Sequence, residues 1–152
     1  MVQKIVQRDK AMADIFDDEK IIGASTIVKF GTIRIVASKD ADHDFHFLLM
    51  PVEHREDFTE LTEVELKDMQ KSESLVAELY KQHGLDGYSK IELVGTGAGR
   101  TVQHYHVHIL PGKSDNFHNN PADRALHRSA DQIREVVSKL NSEFKKLIEN
   151  MQ

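Results

Sequence analysis

The sequence predicts an α+β fold in a single domain. Three observations point there: short β-branched stretches joined by brief connections that favour antiparallel pairing, a well-capped helical stretch mid-chain, and an amphipathic helix near the end. A length of 152 residues suits one hydrophobic core. No repeat, low-complexity tract or Pro/Gly/Ser linker divides the chain, so residues 1–20 read as a polar N-terminal extension and 21–152 as the domain.

Within the extension, a helix over Val2–Ile15 is expected. Thr26, Ile27 and Val28, then Thr32, Ile33, Ile35 and Val36, are separated by Gly31 and predict a hairpin. Phe45-His46-Phe47-Leu48-Leu49-Met50 reads as a buried strand that Pro51 stops, with His46 its one polar member.

Thr62 and Glu65 form a capping box, and Leu61 with Leu66 is placed as a hydrophobic staple. Leu66, Met69, Val76, Leu79 and Tyr80 continue at helical spacing to Gly84, a C-terminal stop. Lys90–Val94 is a short predicted strand. The glycine-rich run 95–101 follows, then a strand over Val102–Leu110 that Pro111-Gly112 ends. Ser129 and Gln132 cap a last helix whose apolar face is Ile133, Val136, Val137, Leu140, Phe144 and Leu147.

Composition narrows the function. A net charge of -5 disfavours a long polyanion, so no nucleic-acid partner is expected, whereas a small phosphate ester needs only a few donors in a pocket. No apolar stretch approaches the ~20 residues of a membrane span. Met1-Val2-Gln3-Lys4-Ile5 lacks the features of a secretory signal, and the expected location is cytoplasmic. With no cysteine, disulfides and thiolate metal sites are excluded.

The histidines carry the chemistry. On a strand, His104, His106, His108 and Leu110 share one face, while Tyr105, Val107 and Ile109 take the other, the core face. Neighbouring imidazoles would then stand roughly 6.7 Å apart, a spacing that fits a phosphate with its attacking and leaving groups. A lone histidine is most often structural or solvated, but three alternating on one face gain nothing for folding. A metal site built from two of these rings and His46 is the sharper rival. The glycine-rich run favours phosphate, because closely spaced glycines expose backbone N–H groups to anionic oxygens.

His104-Tyr105-His106-Val107-His108-Ile109-Leu110 resembles the motif of the histidine triad superfamily. The segment Phe45–Pro51 with His54 looks like that family's strand bearing a fourth active-site histidine. Gly99-Arg100-Thr101-Val102-Gln103, with Pro111 and Asp115-Asn116-Phe117-His118-Asn119, is most similar to the fragile histidine triad branch, which cleaves dinucleoside polyphosphates. The resemblance runs from about Ile27 to about Leu140. It implies an antiparallel sheet of about five strands with packed helices, and a homodimer.

By the same resemblance His106 is the nucleophile, His108 and His46 bind phosphate oxygens or steady the leaving group, and His104 orients the triad. Gly99, Arg100 and Thr101 would contact phosphate. Ser38 stands where the family has Asn or Asp for the ribose. Leu93 and Arg100 stand where the branch has glutamines, and the loop from His118 to Ser129 is shortened.

A neutral imidazole, with an ordinary pKa of about 6.5, is a competent nucleophile near pH 7. The expected reaction is attack on the α-phosphorus, a nucleotidyl-histidine, and its hydrolysis. No tightly bound cofactor or metal is expected, a divalent cation arriving at most with the substrate. A phosphoramidase of the same superfamily and a nucleotide-binding regulatory protein are the alternatives. Of the remaining histidines, His83 and His127 read as structural, and His43, His54 and His118 as candidates for the site rim.

Overall fold

The computed structural model of the chain describes residues 16, 18–98 and 104–151. The helix expected over Val2–Ile15 lies outside them. A short helix α1 (Glu19–Ser25) is capped by the Asp18 side chain, which accepts from the Lys20 N–H at 2.9 Å. It leads into the predicted hairpin, β1 (Thr26–Phe30) and β2 (Ile33–Ala37). Gly31 takes φ +58° in the turn. The carboxylate of Asp68 accepts there from the Thr32 backbone N–H at 2.9 Å and its hydroxyl at 2.8 Å.

After the two-residue β3 (Asp40–Ala41), the strand β4 (Phe47–Pro51) runs antiparallel to β2. The strand expected from Phe45 thus begins two residues late and includes Pro51. His46 lies just before it, in a turn closed by its own N–H donating to the His43 carbonyl at 3.1 Å. The long helix α2 (Glu63–Gln82) starts with the predicted capping box between Thr62 and Glu65. Leu66 departs from the expectation: it is 52% exposed, and Leu75 is the buried residue the spacing left out.

The next strand, β5 (Tyr88–Ile91), lies two residues earlier than the predicted Lys90–Val94. β6 (Val107–Pro111) is shorter than the predicted Val102–Leu110. β7 (Leu126–His127) pairs only with β3. The last helix, α3 (Ala130–Met151), is entered through the expected reciprocal bonds of Ser129 and Gln132.

The five-stranded sheet has the order β1-β2-β4-β6-β5, with every pair antiparallel, as the α+β reading requires. Ile33, Ile35, Phe47, Leu49, Val107 and Ile109 face α2 and α3 and form the main core with Leu75, Leu79, Tyr80, Leu140 and Phe144. Alternation therefore sends Val36, Leu48, Met50 and His108 to the opposite face, where Ile22 of α1 packs on the first three. Among the described residues, no helix is long and apolar enough to cross a membrane.

Candidate active site

His108 is the one member of the run that sits in the sheet, opposite Leu48 of β4 and Ile91 of β5. The expected strand placement of His104 and His106 is not what the structure has. The β4–β6 ladder ends at Leu49↔Val107, because β4 runs on beside β2 to Pro51, a residue without an N–H. The backbone before Val107 bonds elsewhere: the Tyr105 N–H donates to the Arg55 carbonyl at 2.5 Å. The loop after β4 thus carries the first half of the triad.

The rings nevertheless gather. His106 and His108 have ring centroids 5.1 Å apart, as do His108 and His46, and His54 lies 5.2 Å from His104 at the rim. His46 and His104 are fully buried and His108 nearly so, while His106 is partly exposed. The Phe16 ring stands edge-to-face with those of His106 and His104, with centroids 5.3 and 5.8 Å apart.

Backbone partners fix the proton positions. A carbonyl can only accept, so His104 donates from Nε2 to the Pro51 carbonyl at 3.0 Å, and His106 donates from Nδ1 to the His104 carbonyl at 2.7 Å. That puts the His106 lone pair on Nε2. A backbone N–H can only donate, so His46 accepts at Nδ1 from Asp42, at 3.1 Å. Its ring proton is then on Nε2, which donates to His108 Nδ1 at 2.9 Å, and His108 keeps its own proton on Nε2.

Both rings of that pair are held neutral. Burial, followed by the charge of Arg124, pushes the His46 pKa down to about 3, against a smaller opposing effect of Asp42. Burial, then neighbouring His106 and His46, holds His108 well below the usual imidazole value.

Around this pair stand Phe117 and His118, which the sequence pointed to, and Asp42, Arg124 and Arg128, which it did not. Phe117 lies 4.9 Å from the His108 ring and 6.1 Å from that of His46, and the Arg124 guanidinium stands 4.8 Å over Phe117. Asp42 accepts from the His118 backbone at 3.0 Å and from its Nδ1 at 2.5 Å. Arg124 donates to the carbonyls of His118 and Asp40, and Arg128 to those of His43 and Asp44. The Asn116-Phe117-His118 run marked this segment in the sequence. Nothing in the sequence pattern marked Asp42, Arg124 or Arg128.

The other expected site residues are distributed as follows. Ser38 is buried and donates from its hydroxyl to the Asp40 carbonyl at 2.7 Å. Gly99, Arg100 and Thr101 lie outside the described residues. Among those described, no group of three or more His, Asp or Glu residues is arranged to hold a metal ion. His83 closes α2 and pairs with Glu143, and His127 pairs with Asp40.

Chemically, the arrangement offers an imidazole lone pair at His106, an N–H at His108 Nε2 and a neutral, water-shielded pair behind them. On the same face Val36, Leu48 and Met50 are buried beneath Ile22 and Phe16, so this side of the site rests on a packed apolar support.

Comparisons with known proteins agree with this geometry. A family model described as HIT domain matches residues 19–115. An uncharacterised HIT-like protein of Methanocaldococcus jannaschii is 38% identical over 66 residues, 43% of this chain and 51% of the relative. A bis(5'-adenosyl)-triphosphatase of Dictyostelium discoideum is 33% identical over 76 residues, 49% of this chain and 51% of that protein. Each match thus spans about half the relative's length. Among solved structures, the C. elegans NitFhit protein superposes with a TM-score of 0.65 at 25% identity, over 78% of this chain and 27% of the longer one.

Proposed function

Because the chain belongs to the HIT domain family, we propose that it is a nucleotide hydrolase acting on dinucleoside polyphosphates through a covalent nucleotidyl-histidine on His106. The observation that carries this reading is the Nδ1 bond of His106 to the His104 carbonyl, which leaves the lone pair on Nε2. The Nε2 lone pair forms the N–P bond as the P–O bond to the distal phosphate breaks, its electrons leaving with that oxygen. The ring becomes cationic, and the His104 carbonyl stabilises the charge through the Nδ1 proton. Water then forms a new P–O bond and gives up a proton to solvent, the P–N bond breaks, and the lone pair returns to His106.

His108, protonated on Nε2, donates to a phosphate oxygen, and His46 fixes that tautomer from behind. Gly99, Arg100 and Thr101 complete the phosphate contacts, and any divalent ion enters with the polyphosphate rather than in a protein cage. The segment around Ser38 takes the ribose. The similarity to a bis(5'-adenosyl)-triphosphatase supports an adenosine-containing substrate.

The test mixes the protein with diadenosine triphosphate, quenches it in base and measures the intact mass. An adenylyl adduct on His106, absent in His106→Ala along with turnover, is expected. Undiminished hydrolysis by His106→Ala removes the nucleophile.

A homodimer accompanies this reading. β5 is an open sheet edge, and beside it Leu61, Leu66, Met69 and Tyr105 line a surface cavity of ≈ 400 Å³, which supports a second copy pairing there.

A further inference from the structure

The turn that presents His46 is held from outside the sheet. Arg124 and Arg128, both buried, reach back from the segment after the triad to the carbonyls of Asp40, His43 and Asp44. At the centre lies Asp42, whose side chain is 1% exposed although half-exposed His118 covers it. Its two carboxylate oxygens accept from the His118 N–H and Nδ1, with the Arg124 guanidinium 3.9 Å away. Its peptide N–H points the other way, into His46 Nδ1.

We propose that Asp42 is a positioning residue for the reaction: its peptide N–H sets the His46 proton, and through it the His108 proton, on Nε2, while its carboxylate latches that peptide to His118. This rests on the hydrolytic reading of the site, but the tautomer arrangement can be read without any substrate.

The physical need is plain. A neutral imidazole has two tautomers of similar energy, and only the Nε2–H form of His108 offers a donor to a phosphate while accepting from His46. A single peptide decides between them for two rings in series. The peptide is useful only if the turn does not move, and a buried carboxylate with two hydrogen bonds prevents that movement. The ionisable groups facing His46 and the turn are Asp40, Asp42, His43, Asp44, His108, Arg124 and Arg128. Asp42 is the acid that acts on His46; with Asp40 it offsets the Arg124 guanidinium, while Asp44 offsets that of Arg128.

The test is a long-range proton–nitrogen correlation spectrum of the full chain at pH 7, with steady-state kinetics on diadenosine triphosphate. In the unaltered protein both His46 and His108 should appear as single Nε2–H tautomers. Asp42→Ala should mix the tautomers and lower kcat about tenfold, the equivalent of one site hydrogen bond, while KM changes little. Asp42→Asn keeps acceptor and shape and should restore most of both signals. His118→Ala removes the Nδ1 donor and leaves the backbone one, without touching the turn, and should reproduce the Asp42→Ala spectrum in part, so a folding failure of Asp42→Ala does not decide the matter.

An Nδ1–H tautomer of His46 in the unaltered protein, or unchanged tautomers in both Asp42→Ala and His118→Ala, overturns the proposal. An inert protein with the expected spectra would sink the hydrolytic reading and leave the tautomer assignment standing.

Discussion

Nε2 of His46 lies 2.9 Å from Nδ1 of His108, and neither ring has meaningful contact with water. Two imidazoles this close and this buried cannot both be cations. The interior therefore carries two bases that the unfolded chain would protonate readily.

Acid stability follows from that. The folded-state pKa of His46 is pushed down to about 3, against about 6.5 in an unfolded chain. Between those values the unfolded state binds the extra proton, so the contribution is complete above about pH 6.5 and is lost as pH falls toward 3. The slope is about 1.4 kcal/mol per pH unit for one such group. His46→Gln should give a shallower decline of the urea midpoint between pH 7 and 4. Carboxylates contribute to both profiles, so the difference isolates the histidine; superimposable slopes would contradict the assignment.

The β1–β2 turn offers a test of the scaffold. A Cβ on Gly31 would stand 2.8 Å from Cγ of Asp68, at a φ of +58°. Gly31→Ala should therefore cost about 2 kcal/mol, partly from the left-handed backbone and partly from Asp68 losing its hold on Thr32. Urea denaturation would show it, and an unchanged midpoint would mean that Asp68 does not tie this turn to α2.

Local signals made most of the architecture legible. Gly31, the Thr62/Glu65 capping box and the Ser129/Gln132 pair act within a few residues of themselves, and each does in the structure what its spacing predicts. The alternation around His108 also gives the correct faces, with Val107 and Ile109 in the core. The alternation misleads at His104 and His106, which keep their place near the other rings but leave the ladder. The cause is non-local: Pro51 of the partner strand has no N–H to give, and the carbonyls of Pro51 and Arg55 take the bonds of His104 and Tyr105 instead. Asp42, Arg124 and Arg128 were invisible for the same reason, since the bonds that tie the His46 turn to the segment after the triad span 76 to 85 residues of chain.

The open edge gives a third prediction. Leu66 is a large apolar residue, half exposed, at the N-terminal end of α2 and beside the cavity near β5. If a second copy covers it, Leu66→Glu places a charge in that interface and should shift the sedimentation profile toward monomer without lowering the melting temperature of the monomer. A native protein that sediments as a monomer at high concentration would remove the dimer from the reading.

Glu65 links the cap of α2 to the triad. It is 2% exposed, accepts from the Thr62 N–H at 2.9 Å and receives Arg55 Nε on both oxygens, at 3.0 and 3.3 Å. The Arg55 carbonyl in turn accepts from Tyr105, the residue between His104 and His106. Glu65→Ala therefore removes the side-chain half of the capping box and the anchor of the loop that holds half of the triad, and should cost about 2 kcal/mol in urea denaturation. Arg55→Ala spares the capping box but loosens the same loop, so it should lower kcat more than its smaller stability loss would suggest. Equal, purely thermodynamic effects of the two variants would show that the loop is a structural support with no part in presenting His106.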